Sequence, residues 1–273
     1  MTYTKIAVNK IAPHLGAEIG GVDLSRPLED DVMREIRAAL AENLVIFFRD
    51  QSMTPAEQKD FGRQFGELFT HPAAPQLVPG HPEILTVHAD ADSKRIDGEN
   101  WHSDVSCDIA PPMGSILYLT EVPPIGGDTL FASMYAAYDS FSPEMQRFLC
   151  GLTAVHDGER QHGGRFGSKT NAASEHPVVV THPVTGRKAL FVNPIFTTHI
   201  VQLKADESDA LLQFLYRQTQ RPQIQCRFQW RAKSVAFWDN RCVQHMALWD
   251  YFPHRRHGHR ITIRGERPVY LAA

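Results

Sequence analysis

Hydrophobic positions along this chain follow two periods. Over residues 31–42 the apolar Val32, Ile36, Ala39 and Leu40 recur three and four apart, which lines one stripe of an amphipathic helix. The chain then enters Leu44-Val45-Ile46-Phe47-Phe48, a short continuous apolar run that reads as a buried strand. A second helix start follows. Thr54 stands at the cap, Pro55 at the first helical position and Glu57 three residues after the cap, so a capping box should open a helix running to about residue 64. Strand-like pieces broken by Pro and Gly come next, over 84–88, 114–120 and 129–132, and Ser142-Pro143-Glu144 opens a helix to about residue 150. Residues 157–175 are rich in Gly, Ser, Lys and Asn and are expected to form a mobile loop. The last third adds strands over 189–192, 224–230, 235–238 and 260–264, with a helix over 206–219. Many short strands with a few helices predict a mainly β sandwich or barrel decorated by helices, not alternating βαβ units. No GxGxxG or Walker A pattern occurs, which argues against dinucleotide or P-loop chemistry.

A length of 273 residues fits one elaborated domain spanning 1–273. With 28 basic and 31 acidic residues the formal charge is −3, so the basic excess of a phosphate-driven nucleic-acid binder is missing. No apolar run approaches the ~20 residues of a membrane helix, and the first residues lack a signal-peptide core. A soluble, cytoplasmic protein that engages neither nucleic acid nor membrane is the expectation. In that setting the four cysteines, at 107, 150, 226 and 242 with no CxxC, read as reduced thiols. Fourteen histidines are unusually many and direct attention to metal chemistry.

His102-Ser103-Asp104 is a His-x-Asp element. On an extended segment residues two apart point to one face and can converge on one cation. His88-Ala89-Asp90 matches equally well, but His102 follows Trp101 and a polar lead-in and precedes a Pro111-Pro112 break. His245 lies beyond a strand end and polar turn, Trp238-Asp239-Asn240-Arg241-Cys242. Two histidines and one carboxylate would leave coordination positions open, as non-haem Fe(II) oxygen chemistry requires, whereas a structural zinc site wants four protein ligands. The tract His254-Arg255-Arg256-His257-Gly258-His259-Arg260 admits three readings. It could be a basic patch for nucleic acid, a His-rich metal tract, or an anion site in which Arg256 and Arg260 fork onto carboxylate or sulfonate oxygens.

Taken together, Trp101-His102-Ser103-Asp104, Gly126-Gly127-Asp128-Thr129, Trp238-Asp239-Asn240-Arg241 with His245, and Arg256 with Arg260 stand in the order found in the taurine dioxygenase family. Gly20-Gly21-Val22-Asp23-Leu24 and Phe191-Val192-Asn193 with Phe196-Thr197-Thr198 also look like family segments, so the chain resembles that family over nearly its whole length. The family includes aryloxyalkanoate and alkyl sulfate ester dioxygenases and depends on Fe(II), 2-oxoglutarate and O2. The resemblance implies a double-stranded β-helix (jelly-roll) core with peripheral helices. It implies that His102, Asp104 and His245 hold Fe(II), and that Arg256, assisted by Thr129, binds the distal carboxylate of 2-oxoglutarate. Arg260 would face the substrate's anionic group, with His71, Phe196 and Val105 lining its pocket, and relatives are commonly dimers or tetramers.

The expected substrate is a small organic anion, an alkyl sulfate ester or sulfonate, oxidised at the carbon next to the heteroatom to release an aldehyde with sulfate or sulfite. An aryloxyalkanoate or other carboxylate is the alternative, because Arg260 binds carboxylate as readily. A zinc hydrolase using the same triad is an alternative of another class, but it would have no use for Arg256 and Thr129. A non-catalytic binding module would not need an intact triad. Four positions depart from the taurine pattern: Ala74 replaces a tyrosine, Gly98 an asparagine, and Gln161-His162 a Ser-Phe pair. Losing the tyrosine and the asparagine removes groups that would contact a small ammonium-bearing substrate and opens volume, which predicts a less polar, bulkier anion than taurine.

Overall fold

The computed structural model describes residues 2–70, 77–159 and 173–272. Its large sheet runs from edge to edge as β1 (Ala7–Lys10), β2 (Ala17–Gly20), β3 (Val45–Phe48), β14 (Ser234–Asp239), β6 (Gly114–Glu121), β16 (Arg256–Ile263), β5 (His81–Ala89) and β4 (Leu77–Val78). Only the β2–β3 pairing in it is parallel. A second sheet orders β13 (Gln225–Phe228), β7 (Thr129–Ser133) and β15 (Val243–Ala247), and a third orders β12 (Thr197–Ile200), β8 (Thr153–Asp157) and β9 (Ala173–Pro177). β10 (Val179–Thr181) and β11 (Lys188–Leu190) pair as a hairpin. The helices are α1 (Asp30–Asn43), α2 (Pro55–Arg63), α3 (Met134–Asp139), α4 (Pro143–Cys150) and α5 (Ala205–Tyr216).

The run at 44–48 lacks alternation because both of its faces are covered. Val45 and Phe47 join one core cluster with Phe131, Phe228 and Trp238, while Ile46 and Phe48 join another with Ile36 of α1 and Phe61 of α2. Phe47 stacks on Phe228 with ring centroids 3.8 Å apart, which fastens the large sheet to the second one. Burying each such side chain contributes roughly 1.5–3 kcal/mol. The second cluster lies on the helix-covered outer face of the large sheet, and the first lies between the sheets, as a jelly roll requires.

The same alternation sorts β16. Ile261 and Ile263 belong to the outer cluster, so His257 and His259 share their face, and Arg256, Gly258 and Arg260 point inward. Gly258 is forced: a Cβ there would meet the Tyr118 carbonyl oxygen at 2.1 Å. The β16–β6 register shifts between His257 and Gly258 by one extra residue on β6, while the β16–β5 register runs unbroken through Arg256, so the alternation of β16 holds along its length.

Most expected elements are present within a few residues, and the Thr54–Glu57 capping box forms in both directions, Glu57 N–H to Thr54 Oγ1 and Thr54 N–H to Glu57 Oε2 at 2.7 Å. Three expectations need correction. The last large-sheet strand begins at Arg256, not 260, so the basic tract is itself strand. Residues 173–175, placed in the 157–175 loop, belong to β9, and Asp157 ends β8; residues 160–172 of that loop lie outside the described residues. The extended segment expected over His102-Ser103-Asp104 stops short of Asp104: His102 makes an isolated bridge with His245, and a turn begins at Asp104. Among the described residues no helix is long and apolar enough to cross a membrane.

Candidate active site

β15 delivers His245, and the bridge ties it to His102 through two backbone hydrogen bonds, His102 N–H to His245 O at 3.1 Å and His245 N–H to His102 O at 2.9 Å. The two imidazole centroids are 4.1 Å apart. Asp104 Oδ1 lies 3.6 Å from His102 Nε2 and 3.9 Å from His245 Nε2, and all three residues are buried. Residues taken from separate stretches of chain therefore converge through one bridge and one turn.

The protonation states suit a cation. His102 Nδ1 donates to the Asn100 carbonyl at 2.8 Å, which leaves its Nε2 lone pair facing Asp104. Burial above all holds the His245 imidazole well below its usual range, so it is a neutral ligand. Burial pushes the Asp104 carboxyl up, but Arg260 and the two histidines outweigh it and hold it well below the usual carboxylate range. Arg260 Nη1 donates to Asp104 Oδ1 at 3.0 Å.

A small network aims that carboxylate. Ser115 Oγ donates to Asp104 Oδ2 at 2.7 Å, and Asn240 Nδ2 donates to Ser115 Oγ at 3.2 Å. Asn240 Oδ1 accepts from both the Asp104 N–H and Trp238 Nε1. Oδ2 is thereby occupied, and Oδ1 is the oxygen turned to the histidines. Val105, the next residue, holds φ 48°, a strained conformation for a β-branched residue at the rim of the site.

Arg256 makes the second half of the site. It is 4 % exposed, no described carboxylate pairs with it, and its Nε has no hydrogen-bond partner among the described residues. Its guanidinium lies 5.6 Å from the centroid of Trp230. Trp230 Nε1 in turn donates to Thr129 Oγ1 at 3.0 Å, which leaves the threonine hydroxyl hydrogen free to donate elsewhere. A buried guanidinium without an anion is costly, so this cradle is built to receive one. Arg260 also has a partnerless Nε among the described residues.

The remaining expected site residues divide. Phe196 is buried in a cluster with Cys107 and Ile195, against which Val105 packs, so both expected pocket residues meet just past Asp104. His71, Ala74, Gln161 and His162 lie outside the described residues. Gly98 holds φ +88°, and a Cβ there would press on His102 Cε1 at 3.2 Å. Its missing side chain thus has a packing reason in this chain. Ser115 and Trp230 went unnoticed as functional residues; a tryptophan in a core strand signals its need through its N–H, which must find an acceptor when buried.

The decoy His88-x-Asp90 forms its own contact, His88 Nε2 to Asp90 Oδ2 at 3.0 Å, away from the triad. A second buried set, His182, Asp239 and Cys242, also brings potential ligand atoms together.

Comparison with known proteins decides the family. The family described as "Taurine catabolism dioxygenase TauD, TfdA family" matches residues 7–262. The chain belongs to this family. It is 36 % identical to the "Alpha-ketoglutarate-dependent sulfonate dioxygenase" of Saccharomyces cerevisiae, over 97 % of this chain and 68 % of that protein. It is 34 % identical to the "Alpha-ketoglutarate-dependent sulfate ester dioxygenase" of Pseudomonas putida, over 97 % of this chain and 91 % of that one. The solved structure of a taurine dioxygenase from Burkholderia xenovorans superposes with a TM-score of 0.87 at 37 % identity, covering 98 % of this chain and 93 % of that one. The jelly-roll expectation and the taurine dioxygenase resemblance are both borne out.

Proposed function

We propose that this protein is an Fe(II)- and 2-oxoglutarate-dependent dioxygenase that oxidises an organic sulfonate or sulfate ester at the carbon next to the heteroatom. The observation that carries the reading is Arg256, a buried guanidinium with no anion of its own, beside a threonine whose hydroxyl is oriented by Trp230. That pair fits the distal carboxylate of 2-oxoglutarate, and the neutral His245, the tautomer of His102 and the ionised Asp104 fit a divalent iron. Two names among the relatives, a sulfonate dioxygenase and a sulfate ester dioxygenase, support the substrate class.

When bound, iron with 2-oxoglutarate and O2 supplies the oxidant for a C–H bond, and the co-substrate leaves as succinate and CO2. The chain's own task is to hold reactants and exclude water. Ser115 and Asn240 keep Asp104 in one orientation, and the His102–His245 bridge fixes both imidazoles relative to each other. Arg256 and Thr129 set the far end of the co-substrate. Arg260 clamps the substrate's anionic group through its open Nε, with His71, Phe196 and Val105 around the organic part. Hydroxylation next to sulfur or ester oxygen makes an unstable product: the new hydroxyl loses its proton, the carbon–heteroatom bond breaks, and an aldehyde departs from sulfite or sulfate.

Oxygen uptake with succinate detection tests this, using Fe(II), ascorbate and 2-oxoglutarate with a panel of taurine, alkyl sulfonates, alkyl sulfate esters and aryloxy acids. One of the sulfur classes should couple oxygen consumption to succinate most strongly, with taurine poor. Best turnover of an aryloxy acid would move the substrate to the carboxylates, which Arg260 binds by the same fork. Taurine turned over as well as the best substrate would overturn the reading of positions 74 and 98.

A further inference from the structure

The active site uses neither His88-x-Asp90 nor the outward histidines of the basic tract, yet the fold brings these two sequence features together. The β5–β16 register sets His88 directly opposite His257. Both lie on the outer face of the large sheet, the face of Ile84 and Ile261, whereas Arg256 and Arg260 point to its inner face. His88 Nδ1 stands 3.3 Å from His257 Nδ1.

The other side of His88 is held by a carboxylate. Asp90 Oδ2 lies 3.0 Å from His88 Nε2, and that contact is the first of those holding the Asp90 carboxyl below its usual range, so Asp90 is an acceptor. His88 Nε2 therefore faces a carboxylate, while His88 Nδ1 and His257 Nδ1 face each other as donor and acceptor of one hydrogen bond, so a cation bound between them displaces that hydrogen as a proton to solvent. A carboxylate behind an imidazole whose other nitrogen faces a ligand position is the arrangement that orients metal-binding histidines. Two nitrogens bound tetrahedrally to one zinc ion at ~2.0–2.1 Å stand roughly 3.3 Å apart. Burial above all keeps the His257 imidazole below its usual range and so available as a neutral donor. Glu121 stands opposite His257 on β6, its charge offset by the ion pair with Arg255 at 3.2 Å. The His88 side chain is 26 % exposed, which leaves room for water on the open side.

We propose that His88 Nδ1 and His257 Nδ1 form a second metal site, a solvent-reachable position for Zn2+ on the outer face of the large sheet, with water completing the coordination. The site ties β5 to β16 on the side opposite the triad. It is independent of the dioxygenase reading and stands or falls by its own test.

Zinc titrated calorimetrically into the metal-free full chain should bind in two steps, a tight one at the triad and a weaker one here. His88→Phe and His257→Phe should each weaken the second step by at least about tenfold, ~1.4 kcal/mol, and leave the first unchanged. His259→Gln should leave both. Retention of the tight step within each isotherm reports that the variant is folded. A single step in the wild-type chain, or a weaker step that survives both phenylalanine substitutions, overturns the proposal. A second measurement needs no variant: zinc added beyond the tight step should protect His88 and His257 from diethyl pyrocarbonate, read by peptide mass spectrometry. Equal labelling with and without zinc would overturn it as well.

Discussion

His102, Asp104 and His245 on one side, and His182, Asp239 and Cys242 on the other, are both buried sets whose potential ligand atoms lie within 4.8 Å of one another. In the first set bonding capacity is left over: two imidazole nitrogens face a common point with Asp104 Oδ1, which accepts one hydrogen bond from Arg260 and keeps a further lone pair. In the second it is filled. His182 Nδ1 accepts from the Val184 and Thr185 N–H groups, so its Nε2–H donates to Asp239 at 3.0 Å. Arg241 grips both Asp239 oxygens, Nε to Oδ1 at 2.9 Å and Nη2 to Oδ2 at 2.7 Å. Burial, and then Asp239, pushes the Cys242 thiol up, so it stays protonated. Proximity of His, Asp and Cys therefore does not make a metal site; lone pairs with nothing else to bind do. The second set is a latch that joins the turn after β14 to the hairpin of β10 and β11.

The sharpest way to break this comparison is to exchange the roles of the two sets. His102→Ala or Asp104→Asn should abolish iron retention in anaerobic dialysis and lower turnover by more than the ~10–100-fold that loss of an outer-shell partner costs. Cys242→Ser should leave iron retention unchanged, and iron lost from that variant would end the distinction. Asp239→Asn should act in the opposite sense. It strands Arg241 and His182 in the interior, so chemical unfolding should show a loss of ~3–5 kcal/mol while the iron stoichiometry stays the same.

Arg256→Met sharpens the same lesson at the co-substrate end, where a buried donor again waits for a partner. Hydrogen bonds to charged groups are worth about 1.5–3 kcal/mol, so binding of 2-oxoglutarate or N-oxalylglycine should weaken by roughly 10–100-fold by calorimetry. Iron retention should be untouched. If Arg256→Met instead released iron and left co-substrate affinity alone, the division of the site into two halves would be wrong.

These contrasts show why only part of the molecule was legible beforehand. The capping box at Thr54 is local, so spacing alone exposes it; the His-x-Asp pair is local too, but His88-Ala89-Asp90 has the same spacing and only the surrounding residues favour His102. The latch has no such signature, because His182 and Asp239 are 57 residues apart. β16 hid its first half for another reason: its inner face carries the two arginines and its outer face histidines, so no apolar alternation marks residues 256–260 as strand. Function displaced the pattern that betrays structure. His245 could be chosen from fourteen histidines only through the order of the family's motifs, since no spacing links it to His102; the backbone bridge that does so is tertiary.

Acid should expose the latch's own share of the stability. The Asp239 carboxyl is pushed up by burial but held at about 2 by the Arg241 and His182 contacts, below the ordinary value of 3.8. A depressed folded-state value means the stabilisation is present above the unfolded value and is lost as pH falls from about 4 toward about 2, amounting to ~2 kcal/mol. Wild-type stability measured across that window should fall by this extra amount relative to Asp239→Asn. Parallel curves for the two proteins would show that the latch carries no such linkage.

The smallest effect tests whether Trp230 acts through Thr129. Its indole N–H bonds the threonine oxygen while its ring underlies Arg256, so Trp230→Phe keeps an aromatic floor and removes one hydrogen bond. About 1 kcal/mol is at stake, or roughly fivefold in co-substrate affinity. Thr129→Val removes the hydroxyl itself and should cost affinity directly, along with some stability, because it leaves the buried indole N–H without its acceptor. If Trp230 does no more than aim that hydroxyl, adding Trp230→Phe to Thr129→Val should cost no further affinity, and the two substitutions should be strongly non-additive. Additive losses would assign Trp230 a separate role beneath Arg256, and the oriented threonine would no longer explain why a tryptophan stands there.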